Sequence, residues 1–427
     1  MRARRVLRLS AVVAGLGLTS LALSGAAANP PDRTPAVGPP LPALQSAYPP
    51  KVGLPGRLNS ITDVPGVRVG QVQSRTAPFL TGTSIVYFPS MSVASVDQRG
   101  GAPATKETDL LSPLNSNPGV NAIQLSGSSM YGLSATDGVI RYLENRGEGV
   151  PLGSVGVAPI VPAADIYDLG RGGDIKARTG PEWGLVAASA NAGGPVRQGA
   201  WGGGTGARTG GLKGGVGTAS VYLGDGIYVG AMVIVNSAGS PIDPATCELL
   251  GAQFGIGYEF AGLKKPSMSE CQPPKTTSTK GDGLNTTIAV VVTNAPLEKA
   301  AAQRMSGNAH DGMARAIRPI HTLYDGDTVF GVSTGKGTPL RINDPAASPQ
   351  LNAIFGAGAD TLSRAIAKAV LAADSVGGTS SYCDRYPSAC TKLPQANVWR
   401  THGKAVEMTR ALFDRASKDL KVTPLPR

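Results

Sequence analysis

The chain has 427 residues, and 41% of them are hydrophobic, which is enough for a large buried core. Glycine and proline are abundant, with 57 and 34 residues, whereas aromatic residues make up only 5%. Together with recurrent β-branched runs, this composition favours close backbone packing and excludes a disordered chain. The net charge of +11 arises from scattered Lys and Arg without basic runs, which excludes a nucleic-acid-binding surface.

Residues 1–28 have the organisation of a secretory signal peptide. Several arginines precede an apolar stretch from Leu9 to Leu23 that is too short to span a bilayer, and Ala26–Ala28 fits cleavage before Asn29. Loss of the four arginines lowers the net charge by four, from +11 to +7. We expect a secreted protein, extracellular or periplasmic, with no membrane segment after signal removal.

Residues 29–56 are rich in proline and predict an extended arm, which is followed by one domain over residues 57–427. The apolar periodicity mixes strands with helices. The predicted elements are, in chain order, strands over 61–70 (with a turn at Pro65-Gly66), 81–88 and 122–125, a helix over 131–144, strands over 216–223 and 227–235, a helix over 244–260, a strand over 288–292, a helix over 297–316, a strand over 328–333, and helices over 351–373 and 404–420.

The four cysteines of an exported chain predict two disulfides. Proximity favours the pairs Cys247–Cys271 and Cys383–Cys390. A metal site is not predicted, because no C-x-x-C is present and the histidines are limited to His310, His321 and His402. The Gly-rich stretch over 170–220 lacks the spacing of a phosphate-binding P-loop, so no cofactor is expected.

A long polar loop over residues 264–284 leads into the buried strand at 288–292, with Asn285, Thr286 and Thr287 between them. An N-terminal nucleophile would be made at such a position. The Thr286 hydroxyl would attack the preceding carbonyl, and water would release the resulting ester. The freed α-amine, with a pKa of about 7.7–8.0, could then act as a base beside the hydroxyl. On pattern alone, the alternative is a plain loop that enters a strand.

A second candidate nucleophile follows the strand at 122–125. The turn Ser126-Gly127-Ser128-Ser129 between a strand and a helix is similar to a nucleophile elbow, although the G-x-S-x-G pattern is absent. Serines at a helix start are also typical capping residues.

Eight motifs run in order over most of residues 57–375. They are ITDVPGVRVG (61–70), TGTSIV (81–86), KETDLLSP (106–113), NAIQLSGSSMYGLSATDGVIRYLE (121–144), LKGGVGTAS (212–220), VGAMVIVNSAG (229–239), NTTIAVVVTNAPL (285–297) and DGDTVFGVSTG (325–335). Together they resemble the P1 peptidase family, the L-aminopeptidase/D-esterase and β-aminopeptidase group, also called the DmpA family. The resemblance implies an α+β fold, a four-layer αββα sandwich of the N-terminal-nucleophile-hydrolase type.

The resemblance also implies a catalytic set. Self-cleavage would occur between Asn285 and Thr286, and Thr286 would be the nucleophile. Asn236, at the end of its strand, would stabilise the oxyanion, a role worth about 3–4 kcal/mol for one good donor. Asp325 and Asp327 match the helper pair of the family, although many relatives have Ser at the first position. Without the resemblance, Asn236 and the two aspartates would be interpreted as turn residues.

Tyr167 matches an aromatic residue that lines the substrate pocket in the family, and Lys213, Gly214 and Gly215 are expected to shape the same pocket. Close packing is the simpler account of the two glycines. The stretch over 376–427 and the segment around Cys247–Cys271 depart from the motifs of the family.

The implied function is a secreted, self-processing serine/threonine-type aminopeptidase that releases N-terminal residues from peptides, amides or esters. Its two fragments would be residues 29–285 and 286–427, and the assembly would be a homo-oligomer of such αβ heterodimers. Two alternatives remain at this stage. One is an acyltransferase similar to ornithine acetyltransferase, and the other is a secreted binding scaffold that kept the fold without catalysis.

Overall fold

The computed structural model describes residues 51–271, 284–393 and 402–420. The expected signal peptide, most of the expected arm and residues 272–283 of the polar loop lie outside these described residues. The strands are β1 (Arg68–Ser74), β2 (Thr81–Gln98), β3 (Thr105–Lys106), β4 (Val120–Ser126), β5 (Val150–Pro151), β6 (Val157–Ala158), β7 (Ala163–Asp165), β8 (Arg208–Thr209), β9 (Leu212–Lys213), β10 (Gly215–Gly224), β11 (Ile227–Asn236), β12 (Thr286–Thr293), β13 (Thr328–Ser333) and β14 (Val406–Glu407). The helices are α1 (Ala135–Glu144), α2 (Pro181–Ser189), α3 (Lys299–Ala316), α4 (Ser348–Ala372), α5 (Tyr382–Arg385), α6 (Pro387–Cys390) and α7 (Arg410–Asp419).

Strand β2 joins two leaves of sheet. Its first half pairs with β1 and β4, and its second half, from Val93 to Gln98, pairs with β13. The first leaf continues from β4 through β7 to β3, and β14 pairs with β1. The second leaf has the order β10-β11-β12-β13, so that β12 and β13 lie between β11 and β2.

Three apolar clusters show how the two leaves are layered. One cluster lies between the leaves and combines Val86 and Ile123 of the first leaf with Ile234 and Ile288 of the second. A second cluster joins the outer face of the second leaf to α3 and α4, and a third joins the outer face of the first leaf to α1, α2 and α7. The fold is therefore an αββα sandwich, which confirms the layering that the family resemblance implied.

The strands of the second leaf form where β-branched residues are densest. Residues 288–292 read Ile-Ala-Val-Val-Val, and all of them are fully buried, because the strand is covered on one face by the other leaf and on the other by helices. β13 has the bounds that the sequence predicted, and β10, β11, α3 and α4 lie close to their predicted ranges.

The predicted helix over 244–260 is wrong. Only a short 3-10 helix, Leu250–Phe254, forms there. Cys247 has a φ of 57° and is held by a disulfide, and Gly251 packs so tightly that an added Cβ would lie 2.4 Å from the Ser363 carbonyl oxygen. A continuous helix cannot meet these constraints, because its residues need a negative φ.

The strand predicted over 81–88 continues to Gln98 as β2, and three other predicted elements begin differently in the structure. The predicted strand over 61–70 begins with a 3-10 helix, Ile61–Asp63, because Ser60 and Asp63 form a capping box, and β1 starts only at Arg68. The predicted helix over 131–144 begins as a 3-10 helix. The predicted helix over 404–420 begins as β14, and α7 starts only after Thr409, whose side chain accepts the Leu412 N–H.

The structure joins Cys247 to Cys271 and Cys383 to Cys390, the pairing that proximity favoured. Among the described helices, none has the length and apolar character needed to cross a membrane.

Candidate active site

Thr286 is the first residue of β12, and its side chain points into the space between the two leaves. Side chains alternate along a strand, and Ile288, Val290 and Val292 all belong to the cluster between the leaves. Thr286 has the same parity and therefore faces the same side. Its hydroxyl donates a hydrogen bond to the carbonyl oxygen of Asn285, the residue before it. The hydroxyl thus lies against the peptide group that the sequence predicts to be cleaved.

Asn236, the last residue of β11, is the direct partner of Thr286 in the antiparallel ladder. It has the parity of Ile234 and also faces the space between the leaves. Its Oδ1 accepts hydrogen bonds from Arg171 Nη1 at 2.5 Å and from the Arg208 backbone N–H at 3.0 Å. Both of these groups only donate, so the atom that faces them must be the amide oxygen. The amide nitrogen is therefore directed the other way, where it donates to the Tyr167 carbonyl at 3.2 Å.

A loop at residues 204–208 contacts the amide oxygen of Asn236 through the Arg208 N–H. Lys213 in turn hydrogen-bonds backbone carbonyls of this loop. The Lys213 ammonium donates to the carbonyls of Gly204, Ala207 and Gly214 at 3.1, 2.6 and 2.8 Å, and its side chain is buried. Burial lowers the pKa of Lys213 well below its ordinary value. These backbone oxygens surround Nζ, so the contact of Lys213 with the site is through the loop that carries Arg208.

Gly214 and Gly215 serve close backbone packing at the same place. An added Cβ would lie 2.0 Å from the Val235 carbonyl oxygen at Gly214, and 2.4 Å from the Gly199 carbonyl oxygen at Gly215. Both positions therefore exclude a side chain, next to the strand that ends in Asn236. Tyr167 is half-buried and reaches Asn236 through its backbone carbonyl.

Asp325 and Asp327 stand before β13, beside the start of β12. Asp325 pairs with Asn285 through a parallel bridge, and its carboxylate accepts hydrogen bonds from the Ala238 N–H at 3.0 Å and from the Thr322 hydroxyl at 2.5 Å. Burial raises the pKa of the Asp325 carboxyl above its ordinary value. Neither carboxylate hydrogen-bonds the Thr286 hydroxyl in the uncleaved chain, so both act on the segments around it.

The Asp327 carboxylate is shared between β12 and His321, a half-buried residue. One oxygen accepts the Thr287 backbone N–H at 2.6 Å, and the other accepts both the backbone N–H and the Nδ1 of His321, at 3.0 and 2.8 Å. His321 has a φ of 57°, an uncommon backbone conformation for a residue other than glycine. The rings of His321 and His310 pack edge to face, with centroids 4.7 Å apart. Burial lowers the pKa of His310 to about 4, so this ring is neutral at pH 7.

The catalytic candidates are closed off from solvent in the uncleaved chain. Thr286 is 3% exposed, and Asn236, Asp325 and Asp327 are fully buried. A substrate cannot reach the hydroxyl while Asn285 occupies the same place. In the intact chain, the hydroxyl contacts the peptide group of its own preceding residue.

The alternative nucleophiles Ser126 and Ser128 are engaged elsewhere. Ser126 Oγ lies 2.7 Å from Thr83 Oγ1 and donates to the Gly82 carbonyl, and Ser128 Oγ accepts the Thr179 N–H at 2.9 Å. Both serines are buried, and neither hydrogen-bonds a histidine.

The structure brings Thr286, Asn285, Asn236, Asp325 and Asp327 together at one end of the second leaf. Sequence reasoning missed three further residues of this region: Arg171, His321 and Gly326. Arg171 lies in a Gly-rich loop, far from Asn236 in sequence. His321 was considered only as one of three histidines, and the available signal was its position six residues before Asp327.

The sequence matches Peptidase family S58 over residues 59–383. It is 45% identical over 350 residues to a protein named as an uncharacterised aminopeptidase of Mycobacterium leprae (strain TN), covering 78% of this chain and 95% of that protein. It is 31% identical over 286 residues to the 6-aminohexanoate-oligomer endohydrolase of Agromyces sp. (strain KY5R), covering 64% and 74% of the two chains. The fold is similar to that of the L-aminopeptidase D-Ala-esterase/amidase from Ochrobactrum anthropi, with a TM-score of 0.61, 22% identity and coverage of 81% and 98%. The chain belongs to peptidase family S58.

Proposed function

We propose that this peptidase is a secreted, self-cleaving aminopeptidase whose nucleophile is Thr286. One observation carries the proposal: the β11–β12 register sets Asn236 opposite Thr286, while the Thr286 hydroxyl contacts the Asn285 carbonyl. A hydroxyl, an amide donor and the peptide to be cleaved thus share one buried place.

Self-cleavage proceeds in two steps, an acyl shift from nitrogen to oxygen and a hydrolysis. In the first, Thr286 Oγ1 bonds to the carbonyl carbon of Asn285, the C–N bond between the two residues breaks, and the leaving nitrogen takes the hydroxyl proton. This step converts the peptide into an ester. In the second, water adds to the ester and releases the Asn285 carboxyl group and the Thr286 hydroxyl. Thr286 then has a free α-amine, and the Asn285 carbonyl no longer occupies the site.

Turnover repeats this chemistry on a substrate. The Thr286 hydroxyl attacks the carbonyl of the N-terminal residue of the substrate, and the α-amine receives the proton, since its pKa of about 7.7–8.0 lies close to neutral pH. The bond to the leaving amine or alcohol then breaks, and the leaving group takes the proton from the α-amine. Water finally hydrolyses the ester on Thr286, which releases the acyl group as a carboxylic acid and restores the hydroxyl. Asn236 Nδ2 has a second N–H for the developing oxyanion, a contribution of about 3–4 kcal/mol. Asp325 and Asp327 hold the backbone around Thr286 through the contacts described above.

The substrates that we propose are peptides, amino-acid amides or esters, because the relatives include proteins named as aminopeptidases and an oligomer endohydrolase. Two disulfides and the N-terminal signal pattern support secretion. We further propose fragments 29–285 and 286–427 within one domain, assembled as a homo-oligomer of such pairs.

The decisive experiment is N-terminal sequencing of the purified, denatured protein. We expect two chains, one starting near Asn29 and the other at Thr286. Thr286→Ala should remain a single inactive chain, whereas Thr286→Ser, which keeps the hydroxyl, should still be cleaved. An intact wild-type chain without activity would refute the proposal in favour of a binding scaffold. Transfer of the acyl group to an added amine in preference to water would indicate an acyltransferase.

A further inference from the structure

Gly326 supplies a second contact to the peptide bond that we propose to be cleaved. Its backbone N–H donates to the carbonyl oxygen of Asn285 at 3.2 Å, and the Thr286 hydroxyl contacts the same oxygen. Asn285 is held on its other side, because its own N–H donates to the Tyr324 carbonyl at 2.8 Å. The scissile carbonyl therefore points at the Gly326 amide before any reaction starts.

Attack by the Thr286 hydroxyl places a negative charge on this carbonyl oxygen. A backbone N–H that already points at the oxygen stabilises that charge without reorganisation, and the hydrogen bond shortens as the charge develops. In the intact chain, the hydrogen bond that Asn236 Nδ2 donates goes to the Tyr167 carbonyl and not to the Asn285 carbonyl. We propose that the Gly326 backbone amide is the oxyanion donor for self-cleavage, and that Asn236 serves the later turnover of substrates. This inference rests on the self-cleavage proposed above.

Only glycine fits at this position. An added Cβ would lie 2.7 Å from the Ala102 carbonyl oxygen, 2.9 Å from Thr286 Oγ1 and 3.0 Å from the Pro103 Cα. Two of these three atoms belong to backbone that cannot move aside, so the nucleophile itself would be displaced. The missing side chain is thus what lets the amide and the hydroxyl approach one carbonyl together.

The two aspartates that flank Gly326 keep its amide in place. Each is fully buried, and each carboxylate accepts three hydrogen bonds from neighbouring segments. Their side chains therefore fix the backbone on both sides of Gly326. The Asp-Gly-Asp sequence therefore positions the Gly326 backbone amide. This role does not require either carboxylate to contact the Thr286 hydroxyl.

The test removes this single N–H without adding an atom. Glycolic acid is placed at position 326 by nonsense suppression in cell-free synthesis, which converts the amide into an ester. The same replacement at Gly337, an exposed turn residue, is the matched control. Cleavage is followed by gel electrophoresis and intact mass, which separates self-cleavage from hydrolysis of the introduced ester.

We expect self-cleavage to slow by about 10²–10³-fold at position 326, the usual effect of losing one oxyanion donor, and to be unchanged at 337. Gly326→Ala should remain whole with a wild-type circular dichroism spectrum. Asn236→Ala should still cleave itself but lose turnover. Wild-type cleavage kinetics in the 326 ester would overturn the assignment, and so would a complete block of cleavage in Asn236→Ala. A wild-type chain that never cleaves would instead refute the proposed function.

Discussion

Replacement of Arg171 by Met tests whether the orientation of the Asn236 amide matters for turnover. Arg171 Nη1 donates to Asn236 Oδ1 at 2.5 Å and to the Gly206 carbonyl at 2.8 Å. Methionine keeps most of the length of the side chain and loses every donor. The Arg208 N–H, at 3.0 Å, then remains as the second contact described for the amide oxygen.

The expected magnitude follows from that lost contact. A hydrogen bond from a charged donor contributes about 1.5–3 kcal/mol, and an amide left free to rotate presents its N–H to the oxyanion for only part of the time. At about 1.4 kcal/mol for each factor of ten, kcat should fall by roughly 10- to 150-fold. KM should change little, because the oxyanion forms only in the transition state. Arg171→Lys, which keeps one charged donor, should be intermediate.

The assay is steady-state hydrolysis of an amino-acid p-nitroanilide by fully cleaved protein, with active sites counted from the yield of the Thr286 chain. Lys176→Met is the matched control, because it removes a cation from an exposed position of the same loop. A fall in kcat no larger than that of Lys176→Met would refute the reasoning. A change confined to KM would show that Arg171 binds the substrate and does not orient the amide.

Three further predictions concern the disulfide pairing, the pH dependence of stability and the contact between His321 and Asp327. The disulfides Cys247–Cys271 and Cys383–Cys390 each lie within one proposed fragment, so denaturing gels without reductant should still separate two chains; a single band that reductant splits would contradict this pairing. Burial lowers the pKa of Lys368 from 10.5 to about 7. Between pH 7 and 10.5 the unfolded chain therefore binds more protons than the folded chain, so the free energy of unfolding rises with pH, by up to about 1.4 kcal/mol per pH unit. Urea unfolding at pH 7 and 9 should show this rise, and Lys368→Met should remove it; an equal rise in both proteins would exclude Lys368 as its source. His321→Ala removes a donor to Asp327 and should slow self-cleavage at least tenfold, whereas His321→Asn, which tolerates a positive φ and keeps a donor, should restore most of the rate; equal rates in both variants would remove His321 from the site.

The second leaf was predictable because its residues have one consistent preference. The β-branched runs of β10 to β13 indicate strands, and their length indicates burial on both faces. The helix expected over 244–260 failed because apolar spacing does not register a disulfide or a glycine that must touch another helix. In this segment, the tertiary constraints outweigh the preference of the local sequence for a helix.

The candidate site was only partly predictable. Thr286 and Asn236 stand at the ends of recognisable strands, and their motifs resembled a known family. The contact between Arg171 and Asn236 joins residues that are 65 positions apart, and Arg171 lies in a Gly-rich loop. No periodicity in the sequence indicates this contact. The role of Gly326 depends on distances to Ala102 and Thr286, which only the folded chain defines.

The position of β12 and β13 between β11 and β2 has a thermodynamic consequence for the cleaved form that we propose. The second fragment contributes these two inner strands, and the first fragment contributes the strands on either side. The core cluster between the leaves combines residues of both proposed fragments, so we expect folding and association to become one event. Unfolding then changes from a unimolecular to a dissociative equilibrium, and the melting temperature of the cleaved protein should rise with protein concentration, whereas that of the uncleaved Thr286→Ala chain should not.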